Sequence, residues 1–213
     1  MTHAVRQEYD DLAPHYDRRW RPYIDATLDS VMEVLKLQGE EAVLDVPCGT
    51  GELTQRLTAR WPDLRITGVD LSPAMLQQAG RKDKQRRVTW LEADVSDLPL
   101  ADRTFDCVIC ANSFHYFRAP EHALIELRRV LRPGGKFVLL DWCDDFFACK
   151  VCSLWLRWKD PAFFRTYSLR DCCARLQQAE FEIQRADRFR IGWVWGMMRL
   201  VCRCPPENEA PSR

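Results

Sequence analysis

Between residues 41 and 140 the chain alternates short β-branched runs with helix-length amphipathic segments, and few folds accept that rhythm. The runs cover 42–46, 64–69, 88–93, 105–111 and 135–140; the helical segments cover 52–60, 73–81 and 120–131, the last closing at Pro133-Gly134-Gly135. Strands joined by helical crossovers imply right-handed connections and a mainly parallel sheet with helices on both faces. The expected fold class is therefore α/β: a Rossmann-like, doubly wound, mainly parallel sheet. The runs 181–191 and 193–202 follow a helix opened by Ser168, and are expected to add an antiparallel carboxyl-terminal edge strand.

A length of 213 residues, 46% of them hydrophobic, suits one well-buried domain. Residues 1–38 are expected to form a helical lid, with Ile24, Leu28, Val31, Met32 and Leu35 at helical spacing after Pro22. Residues 39–204 form the main domain, 142–167 are an insertion walling the site, and 205–213 are a disordered tail. Lys plus Arg and Asp plus Glu balance at 31 each, which argues against a nucleic-acid partner. The first twenty residues are charged and aromatic, unlike a signal peptide, and no apolar stretch approaches the roughly 18 residues of a membrane span. The expectation is a cytoplasmic protein without integral membrane contact; oligomeric state is not legible.

The first strand runs into Asp45-Val46-Pro47-Cys48-Gly49-Thr50-Gly51, a turn that brings backbone and a helix start close to a ligand. A dinucleotide site would carry a third glycine where Thr54 stands, and a diphosphate would meet Asp45 and Glu52, so an NAD-dependent oxidoreductase is the weaker alternative. The same carboxylates suit the ammonium and sulfonium of S-adenosylmethionine. Asp70 ends the second run 19 residues beyond Gly51, where an acid accepts from ribose hydroxyls; Asp94 ends the third, beside the Ala93 and Val95 backbone, where an acid reaches an adenine amino group.

In this order and spacing the turn, Gly68-Val69-Asp70-Leu71-Ser72, Glu92-Ala93-Asp94, Phe105-Asp106 and Leu131-Arg132-Pro133-Gly134-Gly135 resemble the class I S-adenosylmethionine-dependent methyltransferases, in the type 11 branch that includes the ubiquinone and menaquinone ring methyltransferases. The resemblance implies S-adenosylmethionine as cofactor and small-molecule methylation as activity. It places Asp45, Pro47, Cys48, Gly49 and Gly51 around the methionine portion, Asp70 on the ribose, Leu71 or Met75 on the adenine, and Asp94 and Val95 at its edge. Ala111 and Asn112 come beneath the sulfonium; Tyr9 and Tyr16 are candidates for the cofactor's carboxylate end. The chain departs from the family at Pro47, where a glycine is usual; proline removes a donor and fixes φ near −65°.

Methyl transfer from a sulfonium is a direct displacement, so alignment and water exclusion matter most and a base only when the acceptor must lose a proton. The carboxyl ends of strands four and five supply the candidates His115, Tyr116 and Asp141. Phe114, Phe117, Trp142, Phe146 and Phe147 suggest an apolar or aromatic acceptor, or ordinary core. No metal is expected: the acids Asp141, Asp144 and Asp145 lack the spacing of a magnesium site, and Cys149-x-x-Cys152 is a single pair where zinc takes two. Cys143, Cys149 and Cys152 also raise an arsenite methyltransferase, against which Ser113 stands where that group has a cysteine. An S-adenosylmethionine-binding protein without catalysis is the remaining alternative, and "IGWVWGMMRL" is either a strand or a membrane-grazing segment.

Overall fold

A computed structural model describes residues 3–159, 163–192 and 195–206. Of the expected disordered tail, residues 207–213 lie outside the described residues. The elements run α1 (His3–Leu12), α2 (Tyr16–Val34), β1 (Ala42–Asp45), α3 (Glu52–Arg60), β2 (Arg65–Asp70), α4 (Pro73–Lys82), β3 (Val88–Glu92), β4 (Phe105–Ala111), α5 (Pro120–Val130), β5 (Leu131–Trp142), α6 (Phe147–Lys159), α7 (Leu169–Gln178), β6 (Glu182–Ile191) and β7 (Trp195–Arg203). The sheet order is β3-β2-β1-β4-β5-β7-β6. β1 to β5 are parallel, and β7 returns antiparallel to β5 on one side and β6 on the other.

Side-chain alternation along the central strands divides the core into two layers. Leu44, Val108, Cys110, Phe137 and Leu139 face α5 and α7, meeting Leu124, Leu127 and Leu176. Val43, Cys107, Ile109, Val138 and Leu140 face α2 and α3, meeting Ile24, Leu28, Val31, Leu53 and Leu57. Strands apolar on both faces are what a helix-covered parallel sheet requires.

Three local readings change. The amino-terminal segment is two helices hinged at Ala13–His15, and α2 runs through Pro22 instead of starting after it. The Pro133-Gly134-Gly135 stretch does not simply close α5: that helix stops at Val130, and Leu131 already pairs with Phe105, ahead of a register shift that absorbs the glycines. Residues 147–159, expected only as part of a wall, form α6. Of "IGWVWGMMRL", Ile191 ends β6 and Trp195 to Leu200 supply most of β7, where Met197, Met198 and Leu200 are fully buried sheet core, while Trp193 and Val194 lie outside the described residues.

Candidate active site

The carboxyl ends of β1, β2 and β4 open into one cavity, partly open to solvent, lined by the turn after β1, by Asp70, Leu71 and Ser72, and by Ala111, Asn112 and Ser113. The turn after β1 forms its floor. Cys48 N–H donates to Val69 O (2.8 Å) and Gly51 N–H to Cys48 O (2.9 Å), folding the turn against β2. Asp70 completes the lashing: its Oδ2 accepts from Gly49 N–H at 2.8 Å and its Oδ1 from Ser72 N–H at 2.9 Å. Each oxygen keeps a further lone pair for a hydroxyl of a ligand.

The two glycines of the turn do different work. Gly49 has φ 51°, and a Cβ there would meet nothing within 4 Å. Gly51 has φ 75° as the N-cap of α3, and a Cβ there would come within 2.9 Å of Ala79 and Trp90. Gly51 is thus a packing glycine that lets β3's Trp90 slide under the turn, and it does not line the cavity.

Asp45 is buried at the cavity floor with Thr54 Oγ1 donating to its Oδ2 at 2.8 Å. Burial, reinforced by the nearby Asp70 charge, pushes its carboxyl up to about 7 against the opposing Thr54 bond. Asp70 is also raised by burial, to about 6, with the Ser72 and Gly49 N–H groups pulling the other way. Glu52, read as a second acid for the ligand, is instead neutralised internally. Burial raises its carboxyl, but Arg21 and Lys82, each at 2.5 Å, outweigh that and hold it low. Lys82 also pairs with Asp17 at 2.5 Å, and Asp17 accepts from Thr50 Oγ1, so this network latches α2 onto α3, α4 and the turn. Asp45, by contrast, has the Thr54 hydroxyl as its side-chain partner.

Helices α1 and α2 supply the opposite wall. Asp10 of α1 accepts from Ser72 Oγ at 2.6 Å, and Arg6 pairs with Glu92 at 2.8 Å, fixing α1 over α4 and β3. Tyr9 packs at 5.9 Å on Tyr16 and edge-on at 5.4 Å on Tyr116, and all three line the cavity. Burial pushes the hydroxyls of Tyr9 and Tyr16 above their ordinary range. After β4, Asn112 takes φ 58°, with its Oδ1 accepting from Tyr23 and its Nδ2 donating to Thr27.

Of the expected cofactor contacts, Tyr9, Tyr16, Asp45, Pro47, Cys48, Gly49, Asp70, Leu71, Ala111 and Asn112 line this cavity. Gly51, Met75, Asp94 and Val95 do not: Met75 and Val95 are turned into the protein, and Asp94 Oδ1 accepts from Ser96 N–H in its own turn. Sequence reasoning missed Arg6, Thr50 and Ser72 among the lining, and Tyr23, Thr27 and Thr54 behind it. Ser72 caps α4, its Oγ accepting from Met75 N–H, but its link to Asp10 crosses 62 residues and has no local signature.

Tyr116 lines the cavity, whereas His115 and Asp141 lie outside its lining. His115 is buried with its Nδ1 2.6 Å from Asp141 Oδ1, its ring stacked at 4.6 Å and 7° on Trp142 and 4.2 Å from Tyr116. Asp141 also accepts from the N–H groups of His115 and Trp142. Asp141 thus holds the His115 ring by its Nδ1 edge and leaves Nε2 on the other side of the ring. Trp142 Nε1 donates to Tyr23 Oη, which donates to Asn112, tying this pair to the cavity wall.

The aromatic acceptor wall is smaller than expected. Phe114 and Phe117 belong to the core, Phe146 packs on Gly196, and Phe147 is exposed. The thiols have structural employment: Cys143 Sγ donates to Asp145, Cys149 Sγ accepts from Gly196 N–H, and burial raises both. Among the described residues, no three His, Cys, Asp or Glu side chains converge as metal ligands.

A glycine turn laced to the carboxylate of β2, at the carboxyl edge of a 3-2-1-4-5-7-6 sheet, defines the class I methyltransferase architecture. A family model described as "Methyltransferase domain" matches residues 44–139. Demethylmenaquinone methyltransferase of Thermotoga maritima is 33% identical over 169 residues, covering 73% of this chain and 69% of that one. Its counterpart from Thermus thermophilus is 37% identical over 147 residues, covering 63% of this chain, and this chain spans only 64% of that relative's length. The fold of the methyltransferase bound to the Haloferax volcanii Trm112 methyltransferase activator superposes with a TM-score of 0.83, at 22% identity over 94% of this chain and 97% of that one. The chain belongs to the class I S-adenosylmethionine-dependent methyltransferases, in the type 11 branch, which removes the NAD-dependent alternative.

Proposed function

We propose that this protein transfers a methyl group from S-adenosylmethionine to a small apolar or aromatic acceptor, in the class of the demethylmenaquinone for which its relatives are named. The observation that carries this reading is a single cavity with Asp45, Gly49 and Asp70 on one wall and Tyr9, Tyr16 and Tyr116 on the other. The residues present fit the methyl donor. Gly49 leaves open space beside the turn, and the buried Asp45 has a hydroxyl for a partner where a cation would fit. Asp45 would hold the cationic end, Asp70 the ribose hydroxyls, and Leu71 the adenine. Bound there, the donor supplies an electrophilic methyl group for direct displacement.

The chain's own residues do the rest by positioning. The tyrosine lid excludes water, and Asn112, pinned from two sides, fixes the edge at which an acceptor meets the cavity. For an acceptor that reaches past Tyr116, His115, held by Asp141 just behind it and outside the cavity lining, is the group that would take a hydroxyl or ring proton. The test is incorporation of a labelled methyl group from S-adenosylmethionine into a short-chain demethylmenaquinol analogue, with turnover supporting the reading. Binding of the donor with no label reaching quinols, phenols, thiols or amines would favour the non-catalytic binding protein instead.

A further inference from the structure

Helix α6 exposes large apolar side chains along one face. Its inward positions carry Cys149 and Ser153, while Phe147, Val151, Leu154 and Trp158, spaced i, i+4, i+7 and i+11, stand in solvent on one face. Phe147 is 80% exposed and Trp158 82%. Scattered apolar surface residues need no explanation, but four large ones aligned on one helix form a continuous stripe about 16 Å long. The helix sequence, FACKVCSLWLRWK, holds three basic residues and no acid, in a chain whose charges otherwise balance at 31 to 31. Arg190 adds a base beside the start of the helix, its guanidinium 5.3 Å from the Phe146 ring. Of the acids leading into α6, Asp145 is already paired with Arg188 at 3.0 Å, and Asp144 is half-buried.

We infer that α6 docks the protein on an anionic lipid surface, lying in the interface with its Phe147–Trp158 face in the acyl boundary and Lys150 and Arg190 among the headgroups. Aromatic and aliphatic anchors flanked by Lys and Arg are the composition of an interfacial helix. The helix is too short and too charged to cross a bilayer, and no described helix is long and apolar enough to do so. The placement also suits the site. Cys149 holds α6 to Gly196, and the neighbouring Trp195 sits 4.9 Å from Trp142 and 5.2 Å from Tyr23, the residues behind the cavity's Asn112. A lipid-docked α6 brings this aromatic cluster near the membrane, where an apolar acceptor is concentrated.

The experiment is co-sedimentation with vesicles of pure phosphatidylcholine and of phosphatidylcholine with about one third phosphatidylglycerol, each at low and high salt. It contains neither methyl donor nor acceptor, so its outcome is independent of the function proposed above. Wild-type protein should partition to the anionic vesicles several-fold better than to the neutral ones, and high salt should weaken that preference. The double variant Phe147→Ser, Trp158→Ser should lose at least tenfold in partitioning, and Lys150→Glu should lose only the anionic preference. Circular dichroism and an unchanged affinity for S-adenosylmethionine would establish that the variants fold. Equal partitioning of the double variant, or no wild-type binding at millimolar lipid, would overturn the inference. So would a wild-type dimer in sedimentation equilibrium that the double substitution abolishes, since the stripe would then be a protein interface.

Discussion

The backbone N–H of Gly49 donates to Asp70 Oδ2 across 2.8 Å, so the glycine turn of one strand and the terminal acid of the next are a single unit. Asp70 shapes the turn with the same carboxylate that is available to a ribose, which couples ligand affinity to local order. Asp70→Asn exchanges one acceptor for a donor facing an N–H. It should weaken S-adenosylmethionine binding by roughly 10–100-fold and cost about 1–3 kcal/mol of stability, read by titration calorimetry and denaturant unfolding.

The two glycines should fail in different ways. At Gly49 a methyl group enters open space at positive φ, so Gly49→Ala should cost only about 1–2 kcal/mol of stability while lowering cofactor affinity. Gly51→Ala adds a clash with Ala79 and Trp90 to the same backbone cost, and should destabilise by about 2–5 kcal/mol. Comparing unfolding midpoints with binding constants for the pair separates ligand approach from packing.

Asp45 makes cofactor affinity pH-dependent. With its carboxyl at about 7, the free protein holds a proton there that a cationic ligand must displace, so affinity should fall below pH 7, by up to about tenfold per pH unit. Stability runs the other way. A carboxyl whose folded-state value is raised contributes fully below about pH 4 and loses that contribution as pH rises through 7. For Asp45 the contribution is on the order of 4 kcal/mol. Asp45→Asn should flatten both profiles and, at pH 8, bind the donor at least tenfold more weakly. A wild-type affinity constant from pH 5.5 to 8.5 would contradict the role given to Asp45.

His115 and Asp141 act, on this account, after the methyl donor is bound. His115→Gln should lower kcat at least tenfold with little change in donor affinity. Asp141→Asn should produce a similar kcat loss by reversing the hydrogen bond that orients the ring. If both variants lose donor binding in proportion to kcat, the pair is packing and no base.

The strands were legible because each pairs its hydrophobic period with a turn residue at its carboxyl end; Asp45, Asp70, Gly49 and Asn112 were found for the same reason. Lid residues were partly legible, since Tyr9 and Tyr16 stand out as aromatics in a charged segment. Their partners were not, because the links from Asp10 to Ser72 and from Asp17 to Lys82 join positions more than 60 residues apart. Glu52 lines the cavity, but its neutralisation by Arg21 and Lys82 was not legible because those partners come from two other helices. Helix α6 was read only as part of a wall, although Phe147, Val151, Leu154 and Trp158 recur at helical spacing.

Calorimetric titration of the wild-type protein with S-adenosylmethionine at pH 8 tests the central claim, that this cavity holds the methyl donor, most directly. The account predicts saturable one-to-one binding in the micromolar range, weakened at least tenfold by Asp45→Asn and again at pH 6. Absence of binding at millimolar ligand, or binding indifferent to Asp45, would contradict it.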